Sequence, residues 1–193
     1  LLLSEAARLP AQPLWLEQVH GTAVVRHGGV LPAPPCADAA VAFEPGRVCA
    51  VMTADCLPVV FADRAGTRIG VAHAGWRGLV GGVLQATIVA LEVPPGDLLA
   101  WLGPAIGPTA FEVGPEVRET YLARVPGSAT CFTPNDRGRY LADICGFARL
   151  VLGAAGVASV HGGGWCTHED VQRFFSYRRD GLTGRMATLA WLA

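Results

Sequence analysis

CLPVVFADRAGTRIGVAHAGWRG, residues 56–78, sets two apolar runs around a short polar break and then leads into a glycine-flanked Trp-Arg pair. Leu57 to Ala62 and Arg68 to Ala72 are rich in Val, Ile and Phe and read as strands. Asp63, Arg64, Ala65 and Gly66 between them read as a turn. The expected structure is an antiparallel hairpin with Ala62 opposite Thr67. That register puts Cys56 opposite His73, with Cβ atoms about 4.5 to 5.5 Å apart. Pro58, which cannot donate to a ladder, marks an edge or a bulge. Gly75 to Gly78 then runs into a helix beginning near Leu79.

Outward from this hairpin, Thr22 to Arg26, Val48 to Thr53, Arg173 to Arg178 and Met186 to Leu192 also read as strands. Helical spacing joins Leu79, Val83, Ala90 and Leu91, then Val117, Tyr121 and Leu122, then Ile144, Phe147, Val151 and Leu152. Hairpins mixed with helices imply an α+β (layered α/β) fold, mixed β-sheets covered by helices. The Pro/Gly clusters have ordinary loop lengths, so residues 1–193 are expected to form one compact domain.

With 193 residues, 51% of them apolar, the chain can bury a sizeable core. Fifteen basic against sixteen acidic side chains leave a net charge of -1, too little for a field that grips nucleic acid. All the basic residues are Arg, which removes Schiff-base and P-loop lysine chemistry. Cys36, Cys49, Cys56, Cys131, Cys145 and Cys166 are scattered without repeated spacing and are expected to be free thiols in a reducing, cytoplasmic setting. The N-terminus lacks the pattern of a signal peptide. The longest nearly apolar run, Val48 to Ala62, contains Asp55 and Pro58 and is shorter than the ~20 residues of a membrane helix. The chain starts without Met, and a preceding segment is expected.

Three blocks combine polar groups with small neighbours: Gln18 to Gly21, Thr53 to Cys56, and His73 to Gly78. His20, Cys56 and His73 make a His, Cys, His set suited to zinc, with a fourth position left for water. The alternative is that both histidines are satisfied loop residues and Cys56 a small buried apolar side chain. Arg77 at a helix start is a candidate phosphate contact, against a surface role. Asp55 is a candidate general base or ligand-orienting group, against a turn cap. Arg178 and Arg185 are further anion or substrate candidates. Cys166 and His168 lack a third ligand of comparable spacing.

Read together, QVHG (18–21), TADCLPV (53–59), HAGWRG (73–78), GPAIGPTAFEVG (103–114) and RFFSYRRDGLTGRMATLAWL (173–192) resemble the bacterial laccase-domain family, known as multicopper polyphenol oxidases and as purine nucleoside phosphorylases. The resemblance runs from Gln18 nearly to the C-terminus. The family has a further N-terminal Gly-rich segment with an Arg, and commonly Cys where this chain has Thr109. The resemblance implies that His20, Cys56 and His73 bind metal and that Cys56 is central to activity. It also implies phosphorolysis of adenosine, inosine, guanosine and methylthioadenosine, with adenosine deamination as a further activity.

A laccase mechanism requires about ten histidines across its copper centres, and the chain has five. A single copper with Met52 as axial ligand is the form in which copper would fit; zinc is the expected ion. The expected partners are purine nucleosides and phosphate, the expected assembly a monomer or homodimer. Two other readings keep the same residues: a cysteine hydrolase with a Cys56/His73 dyad, and a metal-buffering or redox-sensing protein.

Overall fold

The computed structural model describes residues 2–29 and 31–193. Its principal sheet has six strands in the order β1 (Val24–Arg26), β2 (Ala39–Ala42), β5 (Ile69–Ala74), β4 (Leu57–Asp63), β6 (Leu98–Leu102) and β10 (Ser159–Gly162). The outer pairs β1–β2 and β6–β10 are parallel; the inner pairs β2–β5, β5–β4 and β4–β6 are antiparallel. A two-stranded ribbon, β3 (Cys49–Thr53) with β11 (Met186–Ala190), and a small sheet of β7 (Glu112–Val113), β9 (Tyr140–Ala142) and β8 (Phe132–Pro134) complete the strands. Among the described residues the helices are α1 (Leu2–Ala6), α2 (Trp76–Gly81), α3 (Val83–Ala90), α4 (Pro115–Arg124), α5 (Ile144–Ala154) and α6 (Tyr177–Asp180). Among the described residues no helix is long and apolar enough to cross a membrane.

Side-chain alternation divides the core. Leu57, Val59, Phe61, Ala72 and Ala74 face one cluster with Leu79, Val83, Leu84 and Phe147 of the helical layer. Ile69, Val71, Ala40 and Ala42 face the other, with Leu14, Leu16, Cys49 and Val51. The central strands are thus covered on both sides, which is why their sequences read as nearly continuous apolar runs rather than clean alternation. Gly82 (φ 105°) separates α2 from α3 within the expected single helical stretch.

The hairpin forms with a register one pair further along than expected. Ala62 pairs with Ile69 and Pro58 with His73. Asp63 stays in the strand because its carboxylate accepts from the backbone amides of Thr67 and Arg68 and from the Thr67 hydroxyl, closing the turn around itself. Cys56 is therefore not opposite His73. The correction moves the pairing sum by two, an even number, so Cys56 and His73 remain on one face.

The expected strand over Arg173 to Arg178 is absent. Chain turns there lead into α6. The Arg179 guanidinium donates to the carbonyls of Thr167, His168 and Phe174, drawing this segment into a compact loop.

Candidate metal centre

Cys56 precedes β4, His73 lies near the end of β5, and His20 comes from the loop before β1. Their donor atoms lie within 4.8 Å of one another, and Cys56 Sγ is 3.9 Å from His20 Nε2. The donors of a tetrahedral zinc site with these ligands are about 3.4 to 3.6 Å apart. Two imidazoles and a thiol at this spacing fit one ion once the widest pair draws in by about 1 Å. Among the described residues no other group of His, Cys, Asp and Glu converges in this way.

Asp38 organises the trio. This fully buried carboxylate accepts the backbone amides of Val19, His20 and Gly21 and pairs with His73 Nδ1 at 2.8 Å. The three amides hold His20 in a left-handed conformation (φ 61°), tolerated by histidine. The bond to Nδ1 directs the other His73 nitrogen to the ion position, as carboxylates behind metal-bound histidines do. Asp38 stands in none of the sequence motifs. Its one available signal is a carboxylate inside the apolar run CADAAVAF, where a buried charge requires partners.

Gly75 is the residue across from Cys56 in the observed register. A Cβ there would come within 2.8 Å of the His20 ring and 3.0 Å of Cys56 Sγ. Gly78 allows an equally close approach, since a Cβ would stand 2.9 Å from the Gly21 carbonyl oxygen. The glycines around Trp76 and Arg77 thus let the turn into α2 pass against the ligands.

Electrostatics sharpen the arrangement. Burial pushes the Cys56 thiol up, but hydrogen bonds from His20 and His73 outweigh it and bring it down to about 7. Burial pushes His73 down, yet its bonds to Asp38 and Cys56 carry it up to about 9. Burial likewise raises Asp38, and the bonds from His73, Gly21 and Val19 reverse this and hold it below the usual carboxylate range. Beside a protonated His73, Cys56 therefore ionises around neutral pH, and the thiolate is the form of cysteine that binds metal or attacks an electrophile.

The trio opens on a cleft of about 510 Å³ lined also by Leu16, Gln18, Met52, Thr53, Tyr177 and Arg185. Gln18 is spent on structure: its amide donates to the Met52 carbonyl and accepts the Met52 amide. Asp55 is next to Cys56, but its carboxylate accepts from Thr167 Oγ1, Ser176 Oγ and the Arg178 amide. With φ at 90° it is a strained strut between the Cys56 segment and the 166–178 loop, and does not line the cleft. Arg77 is outside the cleft, its guanidinium 4.5 Å from the Trp76 ring centre. Arg178 is also outside, donating to the Glu112 carbonyl. Of the arginines considered, the fold brings Arg185 to the trio. Cys166 Sγ accepts the Gly107 amide, and Thr109 donates to Glu169 on the surface.

The family model for multi-copper polyphenol oxidoreductase laccase matches residues 1–193. Similar chains include a purine nucleoside phosphorylase of Pseudomonas aeruginosa, 54% identical over 190 residues, covering 96% of this chain and 76% of that protein. Another is a purine nucleoside phosphorylase of Escherichia coli K12, 53% identical, covering 98% of this chain and 78% of that one. The crystal structure of a Neisseria meningitidis protein superposes with a TM-score of 0.94 at 51% identity, covering 99% of this chain and 78% of that one. On the match across its whole length, this chain belongs to the family described as multi-copper polyphenol oxidoreductase laccase.

Proposed function

We propose that the chain is a metal-dependent purine nucleoside phosphorylase whose ion is held by His20, Cys56 and His73. The carrying observation is the convergence of these donors, with Asp38 behind them, in a cleft large enough for a nucleoside. Relatives about 50% identical carry that activity in their names.

In the reaction a phosphate oxygen bonds to C1′ of the ribose while the C1′–N9 bond breaks. Its electron pair leaves with the purine, which takes a proton. An ion held by His20, Cys56 and His73 would supply positive charge against the negative charge of the reacting groups. Asp38 keeps the His73 Nδ1 proton in place and so leaves the other ring nitrogen free for the ion, while Cys56, brought down to about 7, is ready to join it as a thiolate. Asp55 acts here as a positioning residue for the loop over the cleft rather than as a base.

Zinc is the ion we assign, since a closed-shell ion suits two nitrogens, one sulfur and an open position. Copper would call on Met52, whose backbone is fixed beside the trio by Gln18. Adenosine, inosine, guanosine and methylthioadenosine are the proposed nucleosides, and adenosine deamination the proposed side reaction. The chain would act as a monomer or homodimer in the cytoplasm.

A cysteine hydrolase reading is favoured by one observation: Asp38, His73 and Cys56 stand in the order of an acid, base and nucleophile triad. His20 has no place in that mechanism. Metal analysis beside product identification separates the two. One zinc per chain and phosphate-dependent release of base from inosine support the phosphorylase. A metal-free, active protein trapped as an acyl-enzyme overturns it.

A further inference from the structure

Beyond the metal ligands, the cleft offers one cation and one aromatic face, Arg185 and Tyr177. We infer that Arg185 holds the phosphate and that Tyr177 carries the purine by stacking; the assignment rests on the phosphorylase reading.

Arg185 is the arginine that lines the cleft, and its charge is left for an anion. Arg173, Arg179 and Arg137 are paired with carboxylates, and Arg77 lies over Trp76. Arg185 uses one terminal nitrogen on the carbonyls of Thr183 and Gly184 and faces no carboxylate among the described residues. Those two bonds fix the guanidinium without neutralising it. Its place follows from the ribbon register: Met186 pairs with Thr53, so continuing the ladder brings Arg185 beside Ala54, two residues from Cys56. A fixed guanidinium fork next to a cationic metal centre matches a phosphate dianion.

Tyr177 is anchored from the same segment. Asp55 accepts from Ser176 Oγ and from the Arg178 amide, gripping the chain on both sides of Tyr177 and tying it to the residue before Cys56. Tyr177 is 61% exposed, and its hydroxyl has no partner among the described residues. Such a face suits a purine, because stacking needs only the π-surface. Stacking also reads neither a 6-amino nor a 6-oxo group, so a cleft built this way treats adenosine and inosine alike.

The test uses the metal-loaded protein, with variants matched for metal content. Wild type with inosine and phosphate should give hypoxanthine and ribose 1-phosphate. Arg185→Ala should raise the phosphate KM about tenfold or more while the inosine KM stays within about twofold, and Arg185→Lys should recover part of the loss. Tyr177→Ala should raise the KM of inosine and adenosine alike by about tenfold, leaving the phosphate KM in place, and Tyr177→Phe should be silent. Calorimetric titration with inorganic phosphate should lose its binding heat in Arg185→Ala alone. If Arg185→Ala shifts both KM values together, or Tyr177→Phe harms as much as Tyr177→Ala, the assignment is overturned and the phosphorylase reading stands. A wild type that forms no ribose 1-phosphate overturns the phosphorylase reading itself.

Discussion

Asp38 gathers four hydrogen bonds on one buried carboxylate and so couples the His20 loop to the His73 ring. Asp38→Asn should keep the fold but weaken metal binding by about 10- to 100-fold, measured by chelator competition. Undiminished affinity would remove Asp38 from the centre. Gly75→Ala should expel His20 and Cys56 from their positions and likewise abolish metal uptake. Metal affinity should also depend on pH. Binding at neutral pH displaces the His73 proton, so affinity should climb as pH rises toward about 9. It should fall more steeply below about 7, where Cys56 also takes up a proton. A flat profile across this range would contradict the thiolate–imidazolium pair. His20, Cys56 and His73 were legible in the sequence because each sits among Gly, Ala and turn residues that leave it free for chemistry. Asp38 was not, since its partners are backbone amides with no sequence signature. Arg77 and Arg178 drew attention by their neighbours, but only the three-dimensional course of the chain distinguishes them from Arg185.

At the scale of elements, the β4–β5 hairpin carries two of the three ligands, and its turn is set by Asp63. Burial pushes the Asp63 carboxyl up, but bonds from the Thr67 hydroxyl and from the Arg68 and Thr67 amides hold it below the usual range. A carboxylate held low stabilises the fold fully above its unfolded value near 3.9 and loses that contribution as pH falls below it. Asp63→Asn should therefore lower stability at pH 7 and flatten the acid limb of the denaturation profile below about pH 4. An unchanged acid limb would show that Asp63 does not set the turn. The same carboxylate explains why the expected register was one pair short: the sequence reads Asp63 as a turn residue, whereas its side chain bonds let its backbone remain in the strand. The segment 173–178 has strand-like composition, with Phe174, Phe175 and Tyr177, but the Asp55 and Arg179 contacts come from outside it and override that preference.

Across the whole molecule, a sheet buried on both faces carries the centre at the end where β4, β5 and the His20 loop meet. Layered architecture was readable because apolar runs of strand length alternate with amphipathic spacing. Strand order was not, since β1 and β2 pair in parallel although they are consecutive, and β6–β10 pair in parallel through contacts remote in sequence. Stability and site chemistry should separate at this scale. Phe61→Ala, which empties a fully buried position, should cost about 3 to 5 kcal/mol in denaturant unfolding, while the folded fraction keeps its metal stoichiometry. A metal-centred phosphorylase of this kind must depend on Cys56. Mass spectrometry of the products from adenosine, with and without phosphate, on metal-quantified wild type and Cys56→Ala tests it most directly. Adenine and ribose 1-phosphate should form with wild type only when phosphate is present, and the folded variant should show neither product nor bound metal. Equal turnover by both proteins, or products that ignore phosphate, would contradict it.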